Sequence, residues 1–418
     1  MMRRALGVFL LLAACATTPP ASRPISQAVV DDQTRTTIES LRDAVGADPT
    51  DGASIYILAQ YLDRTGDTAE ALQWLGELER IGWSHGVNDH DFLNSAKLSR
   101  YRTVASRLNV REPHIVRSTT AFVIPQRDLV PEGIAWDPTT GDFYVSSIHL
   151  RKVVRVTSDG KSSDFVHEGQ DGLFGTLGLK VDAQRRLLWV ISNAAHEMNG
   201  YSDALDGQSS VLAYDLRTGK LAKKVDFGTA HDPSLLNDLA ILDDGSVVIT
   251  DSDGGGIMRV RLGSETIETW IPARTFTFPN GIAAAEGEPF VYVADFSGLS
   301  RIDVRSRTIT PLVIGERGET LSGIDGLTSY HGDLIGIQNG VGRPRVVRVS
   351  LNDTRDAIAR IDVIEAGNPQ FDEPTTGVIA NGAFYFMANP QLRAFDESHR
   401  IWPQDRLRDV IVLKLPLD

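Results

Sequence analysis

Asn237-Asp238-Leu239-Ala240, then the turn Asp243-Asp244-Gly245 and the run Val247-Val248-Ile249-Thr250-Asp251-Ser252, decides the fold because the chain repeats the pattern. A residue, then glycine, then an aliphatic residue stands again at Glu132-Gly133-Ile134, Leu177-Gly178-Leu179, Asn280-Gly281-Ile282, Asp325-Gly326-Leu327 and Thr376-Gly377-Val378, with Asp238 replacing the glycine in the copy quoted first. The copies fall roughly 43 to 60 residues apart, a period that belongs to propeller blades.

A propeller blade is a four-stranded antiparallel sheet standing radially about a channel. Its first strand starts at one face of the disc and its second returns there. The residue before each glycine is therefore expected to point at the axis, the glycine marking a corner or a close approach. The expectation is an all-β six-bladed β-propeller over 118–418, each blade with its own core. Strands at Thr119–Ile124 and Val410–Leu415 would meet in the sixth blade and close the ring. Val153–Val156 and Ile257–Arg261 alternate as half-buried outer strands should.

The axial position reads Glu132, Leu177, Asn237, Asn280, Asp325 and Thr376. Two carboxylates and two amides meeting on an axis leave buried charge uncompensated, which a cation resolves. Glu132, Asn237, Asn280 and Asp325 form an all-oxygen set suited to one hard divalent cation, calcium first, with magnesium, manganese or zinc as alternatives. The competing reading is that Asn and Asp serve as turn residues. The second strands end in Ser146-Ser147, Asn193, Asp251, Asp295, Asn339 and Asn389, on the same face. Asn193, Asp251 and Asp295 are candidate substrate-binding residues, or else caps of neighbouring backbone. The loops beyond carry His149 and, over about 193–210, His196, Glu197, Asn199 and Tyr201. This second loop reads as the longest inside a blade and is a candidate lid.

Pro131-Glu132-Gly133-Ile134-Ala135-Trp136, Leu236-Asn237-Asp238-Leu239-Ala240, Pro279-Asn280-Gly281-Ile282-Ala283 and Ile324-Asp325-Gly326-Leu327 resemble the gluconolactonase, or regucalcin-like (senescence marker protein), six-bladed propellers over roughly residues 118 to 418. The resemblance implies that the matching Glu, Asn and Asp hold one divalent cation in the channel and that the earlier Asn, Asn237, lines the substrate site. The chain resembles more distantly the paraoxonases, calcium-dependent lactonases with a catalytic His, and more loosely the strictosidine synthase-like proteins. His196, shortly after the strand Leu188–Asn193, stands roughly where paraoxonase-like sequences carry that His. Gly326 stands where paraoxonases carry a further Asn, so a second, structural calcium is not implied.

Ester or lactone hydrolysis suits such a site. A cation polarises the carbonyl and stabilises the oxyanion, while Asp325, His196 or His149 takes the proton of water. No Gly-x-Ser-x-Gly elbow, nucleotide-binding glycine loop or zinc-protease helix is present. The expected activity is thus a metal-dependent lactonase or esterase. The alternative class is a non-catalytic, membrane-tethered propeller acting as a binding or scaffold module.

At the amino terminus Arg3 and Arg4, the apolar run Ala5–Leu12 and Ala13-Ala14-Cys15 read as a targeting segment. The run is too short for a permanent membrane span. Leu12-Ala13-Ala14-Cys15 resembles the bacterial lipobox, and Cys15 is the chain's one cysteine. The resemblance implies a signal peptide over 1–14, lipidation of Cys15, and a protein of the bacterial cell envelope facing the periplasm or outside, touching the membrane through its lipid only. Residues 15–35 read as a linker.

Over 36–110 the pattern is helical, with Ile55, Leu58, Ala59 and Leu62 on one face, Gly66 as breaker, and Ala71, Leu72, Leu75 and Leu78 on the next. With Trp74 this segment resembles a tetratricopeptide hairpin, but one copy falls short of the roughly three repeats a solenoid needs. It is expected to dock on the propeller or a protein partner, or to space the disc from the membrane. With 42 Lys and Arg against 55 Asp and Glu, a net charge of −13, a basic nucleic-acid surface is not expected.

Overall fold

The computed structural model describes residues 32–228, 234–285, 287–314, 319–396 and 398–418; the signal-peptide and Cys15 readings fall on 1–31, outside the described residues. The strands make six four-stranded antiparallel sheets. Blade one is β2 (Ile134–Trp136), β3 (Phe143–Ser147), β4 (Lys152–Val156) and β5 (Ser162–Val166), and blade two is β6 (Gly175–Asp182) to β9 (Leu221–Phe227). Blade three runs from β10 (Leu236–Ile241) to β13 (Ile267–Ile271), blade four from β14 (Ile282–Ala284) to β17 (Ile309–Leu312), and blade five from β18 (Ile324–Tyr330) to β21 (Ile358–Ala366). Blade six joins β22 (Gly377–Ala380), β23 (Ala383–Met387) and β24 (Val410–Pro416) to β1 (Thr119–Ile124), in the order β1-β24-β23-β22. The two ends of the propeller segment thus close the ring as expected, with Thr119 opposite Lys414 and Ile124 opposite Val410.

The core lies between neighbouring blades rather than within each blade, which corrects the expectation of one core per blade. Tyr144 and Val153 of blade one pack with Leu188, Val190 and Tyr214 of blade two, and Ala240, Val248 and Ile257 of blade three pack with Ile282, Val291 and Ile302 of blade four. Burying one such side chain contributes about 1.5–3 kcal/mol, so each blade is stabilised by its neighbours. This corrects the reading of β4 and β12 (Gly256–Val260) as half-buried outer strands: they are third strands covered on both faces, and β12 is buried throughout.

The repeated glycines answer a close approach rather than a need for left-handed backbone, since none of Gly133, Gly178, Gly281 and Gly326 has a positive φ. A Cβ at Gly133 would stand 2.5 Å from Leu177 O, and one at Gly178 2.6 Å from Asn237 O. Gly281 abuts Asp325 O still more closely, and Gly326 faces Thr375 O at 2.8 Å. Each glycine therefore admits the carbonyl of the axial residue in the next blade. The same rule corrects the sixth copy: Thr375, not Thr376, holds the axial position, and Thr376 stands in the glycine slot.

Before the propeller lie α1 (Asp32–Ala47), α2 (Gly52–Arg64), α3 (Thr68–Ile81) and α4 (Ser99–Asn109), so helix begins inside the stretch read as linker to residue 35. Asp51 and Asp67 cap α2 and α3 by accepting from Ser54 N and Glu70 N, and left-handed Gly82 ends α3. Tyr56, Leu58, Leu62, Ala71, Leu75, Leu78, Trp83 and Phe92 form one core, which Val341 of the β19 (Asp333–Gln338)–β20 (Arg345–Leu351) loop joins from the propeller. The helical unit therefore docks on the disc. Among the described residues no helix is long and apolar enough to cross a membrane.

Candidate metal centre and its cap

Each axial residue opens the first strand of its blade, and the turn before it is shaped the same way in four blades. Val130, Phe278 and Glu373, two residues ahead of Glu132, Asn280 and Thr375, have φ of 44°, 53° and 53°, and Gly323, two ahead of Asp325, has φ 70°. The three non-glycines each precede a proline, which disfavours compact backbone at the residue before it. Left-handed backbone at such residues, a β-branched valine among them, is strain of the kind found at functional sites.

The second-strand ends hold this ring in place. Asn193 Nδ2 donates to Leu236 O at 2.6 Å, Ser252 Oγ to Pro279 O at 2.7 Å and Asn339 Nδ2 to Pro374 O at 3.0 Å. Each is a staple from one blade to the residue before the axial position of the next. Thr375 and Thr376 close the circle by donating to Glu132 O at 3.0 and 2.5 Å.

Two of the residues read as substrate-binding thus have their polar atoms engaged by the protein. Asn193 also accepts from Ser209 Oγ, and Asp251 Oδ1 accepts from Leu235 N and Gly254 N. Asp295 likewise accepts from Thr277 N and Ser297 N, yet it lines a small, open cleft with Phe278, Asn280, Phe296, Gly323, Ile324, Asp325 and Asn339. Asn237 donates to Ser252 Oγ at 3.0 Å and is buried at the axis.

The electrostatics of the ring are those of too many acceptors. Glu132 is 5% exposed and its Oε2 has no hydrogen-bond partner; Asn280 Oδ1 has none either. Burial pushes the Glu132 carboxyl well above the usual carboxylate range, and the Asp325 and Asp238 charges nearby push the same way. Asp325 is pushed up to about 6, chiefly by burial, against the Asn339 amide that donates to its Oδ2 at 2.7 Å and the Asn280 amide beside it. Buried acceptors lacking donors are what a cation satisfies. Among the described residues no three His, Cys, Asp or Glu side chains are grouped for a metal. The ring offers instead two carboxylates, Glu132 and Asp325, with the amide oxygens of Asn237 and Asn280.

The histidines lie on the same face but apart from this cleft. His149 Nδ1 bonds Glu197 O at 2.7 Å and its ring meets Phe395 edge-on. His196 faces Tyr201 Oη at 3.4 Å and stacks on His399. Neither lines the cleft. His149 lies on the β3–β4 loop and His196 on the 194–208 loop, which is shorter than the β23–β24 loop, 388–409, that carries Phe395. The longest loop inside a blade is therefore 388–409, not the 193–210 loop expected from the sequence.

The helical unit sits over blades four to six of the ring face. His85 O accepts from Arg343 N at 2.7 Å, and Phe296, a wall of the cleft, packs on the helical core. Buried Arg345 donates to Gln338 Oε1 at 2.8 Å and Glu319 Oε2 at 3.2 Å, and its Nη2 lies 3.0 Å from His85 Nε2. Arginine only donates, so neutral His85 carries its proton on Nδ1. Burial first, and then Arg345, lower its pKa to about 4. Gln338 passes the contact on to Thr320 O and Ser322 O, just ahead of Gly323 and Asp325. A second line runs from Tyr56 Oη to Asp91, from Asp91 to Arg393 and from Arg393 to left-handed Glu373. Both lines end beside left-handed residues two ahead of an axial position.

No protein-family model matches the chain, and no curated protein matches it by sequence. Among solved structures it is similar to the major allergen Mala s 1 of Malassezia sympodialis, with TM-score 0.54 and 17% identity over 70% of this chain and 94% of that one. It also aligns with the PQQ-bound aldose sugar dehydrogenase of Streptomyces coelicolor (TM-score 0.49, 14% identity, 71% and 97% covered) and with a gluconolactonase of Xanthomonas campestris (0.45, 14%, 73% and 94%). The likeness to the allergen supports the propeller fold. Fold and site together define a six-bladed β-propeller with an oxygen-lined axial ring under a helical cap.

Proposed function

We propose that this propeller is a metal-dependent hydrolase that opens a lactone or related ester at the ring. The observation that supports the reading is the pair of buried acceptors without donors, Glu132 Oε2 and Asn280 Oδ1, beside the Asp325 carboxyl at an open cleft. Glu132, Asn237, Asn280 and Asp325 would hold a hard divalent cation, calcium first. Bound there, it would supply a Lewis acid for the substrate carbonyl. Asp325 takes the proton of the attacking water, and Asn339, bonded to one of its oxygens, fixes the direction of the other. Phe278 and Phe296 wall the cleft against bulk water. The lipobox-like sequence adds to this proposal a lipid anchor at Cys15 and a place on the bacterial cell envelope.

One observation favours the alternative of a tethered binding or scaffold module: the cap occupies part of the face through which a substrate would enter. The deciding experiment is hydrolysis of a panel of small lactones and esters by the full chain with calcium, manganese, zinc or chelator, beside Asp325→Asn. Ion-dependent turnover that the variant loses is the expected result. Ion uptake without turnover on any ester would assign the binding module, and no ion uptake would overturn the ring as a metal centre.

A further inference from the structure

Beneath the axial residues the channel wall has two further layers. One step along the first strands stand Gly133, Gly178, Asp238, Gly281, Gly326 and Thr376; three steps along stand Ala135, Lys180, Ala240, Ala283, Thr328 and Val378. Each layer thus carries one charge in a set of small or uncharged residues, and the two charges belong to adjacent blades. They meet: Lys180 Nζ donates to Asp238 Oδ1 at 3.2 Å, with the Asp238 side chain 2% exposed and that of Lys180 24%.

The fold makes room for this pair. A Cβ at Gly178 would stand 3.0 Å from Asp238 Oδ1 and 2.9 Å from its Cα, so the glycine clears the space that the carboxylate fills. Asp238 is held from both sides, Oδ1 by Leu239 N at 2.8 Å and Oδ2 by Ile282 N of blade four at 3.4 Å. Lys180 thus pairs with the residue directly after Asn237, which places its ammonium beside the ring.

We infer that Lys180 is a built-in cation that sets the affinity of the ring for its divalent ion, held away from Glu132 by Asp238. The inference rests on the proposed metal ring and adds a residue that touches no ion. With the ring loaded, an ammonium this near repels the ion through a medium of low dielectric constant. With the ring empty, the same ammonium is the standing counter-charge to Glu132. Asp238 weakens both effects by holding the ammonium one layer down. The pair therefore makes the ion exchangeable, and each partner does so with opposite sign.

The test is isothermal titration of calcium and of manganese into the full chain, its Lys180→Met and Asp238→Asn variants and the double variant, each metal-free at the start. Lys180→Met keeps the aliphatic stem and is expected to tighten binding by tenfold or more. Asp238→Asn frees the ammonium toward Glu132 and is expected to weaken it by tenfold or more, while the double variant returns close to the parent. Thermal midpoints of the metal-free variants separate a change in affinity from a change in folding, and Lys180→Arg, which keeps the charge, should bind as the parent does. Binding unchanged or weakened in a folded Lys180→Met, or tightened in Asp238→Asn, would overturn the inference and leave the ring standing. No ion uptake by the parent or any variant would overturn the ring and the inference together.

Discussion

The ring and the cap interface are both buried polar clusters, and they are unbalanced in opposite senses. At the ring the unpartnered atoms are acceptors, Glu132 Oε2 and Asn280 Oδ1. At the cap they are mostly donors: His85 Nδ1, Arg345 Nη1, and Nε and Nη1 of Arg393, with Glu112 Oε1 as the exception. A surplus of acceptors calls for a cation, whereas a surplus of donors on residues already tied to Glu319, Gln338, Asp91 and Glu373 calls for water or a few more oxygens. Burial alone thus does not mark the functional cluster. The sign of what is left unsatisfied does.

The largest effect expected is at Asp325. Its carboxyl is pushed up to about 6, so the metal-free protein holds a proton there that the unfolded chain has released, and stability falls as pH rises from about 4 through 6. Asp325→Asn removes that penalty. It should abolish calcium uptake by calorimetry while raising the metal-free thermal midpoint at pH 8 by the equivalent of about 3 kcal/mol. A variant that is less stable without metal would make the ring a structural feature and erase the contrast with the cap. Glu132→Gln, which keeps the shape and removes one charge, should weaken calcium about tenfold to a hundredfold.

On the cap side the sign is reversed. Buried His85 stays neutral to about pH 4, while the unfolded imidazole takes a proton near 6.5, so stability present at pH 7 is lost as pH falls between those values. Amide protection over 83–112 should drop by the equivalent of about 3 kcal/mol across that window, with blade three unaffected. Equal loss in blade three would show the two regions to be one cooperative unit. The smallest effect is expected at the histidines: His149→Ala and His196→Ala should reduce turnover less than about fivefold, where loss of a general base costs ~10²–10⁴-fold. A hundredfold loss at His196 would move the proton acceptor to the loop side and break the assignment to Asp325.

The sequence carried the blades and the ring because a repeat compares like positions: Glu132, Asn237, Asn280 and Asp325 declare themselves only against one another. It misplaced Thr375 by one residue because the glycine used as the marker is there for the neighbour's carbonyl, and Thr376 tolerates that neighbour without being glycine. Strand-end Asn193 and Asn339 look alike in sequence, yet both spend an amide on the next blade's backbone and only Asn339 also reaches an axial carboxylate. Which atoms remain free is a matter of three-dimensional accounting. Docking of the helices on the disc was among the expectations, but the contacts that make it were not legible, since Arg345 reads as one residue of an alternating strand and His85 as one of a loop, more than 250 residues earlier. The left-handed Phe278 and Glu373 had a faint sign in the prolines that follow them.

The cap is joined to β1 by the short stretch 110–118, itself pinned by a bridge between Ile115 and Ala366, and β1 is the outermost strand of the closing blade. The strand that completes the ring is therefore also the tether of the lid over it. Cap and disc meet at an effective concentration fixed by that tether, on the order of millimolar or above. An interface of modest intrinsic affinity then stays closed at any protein concentration, and each opening is a unimolecular event.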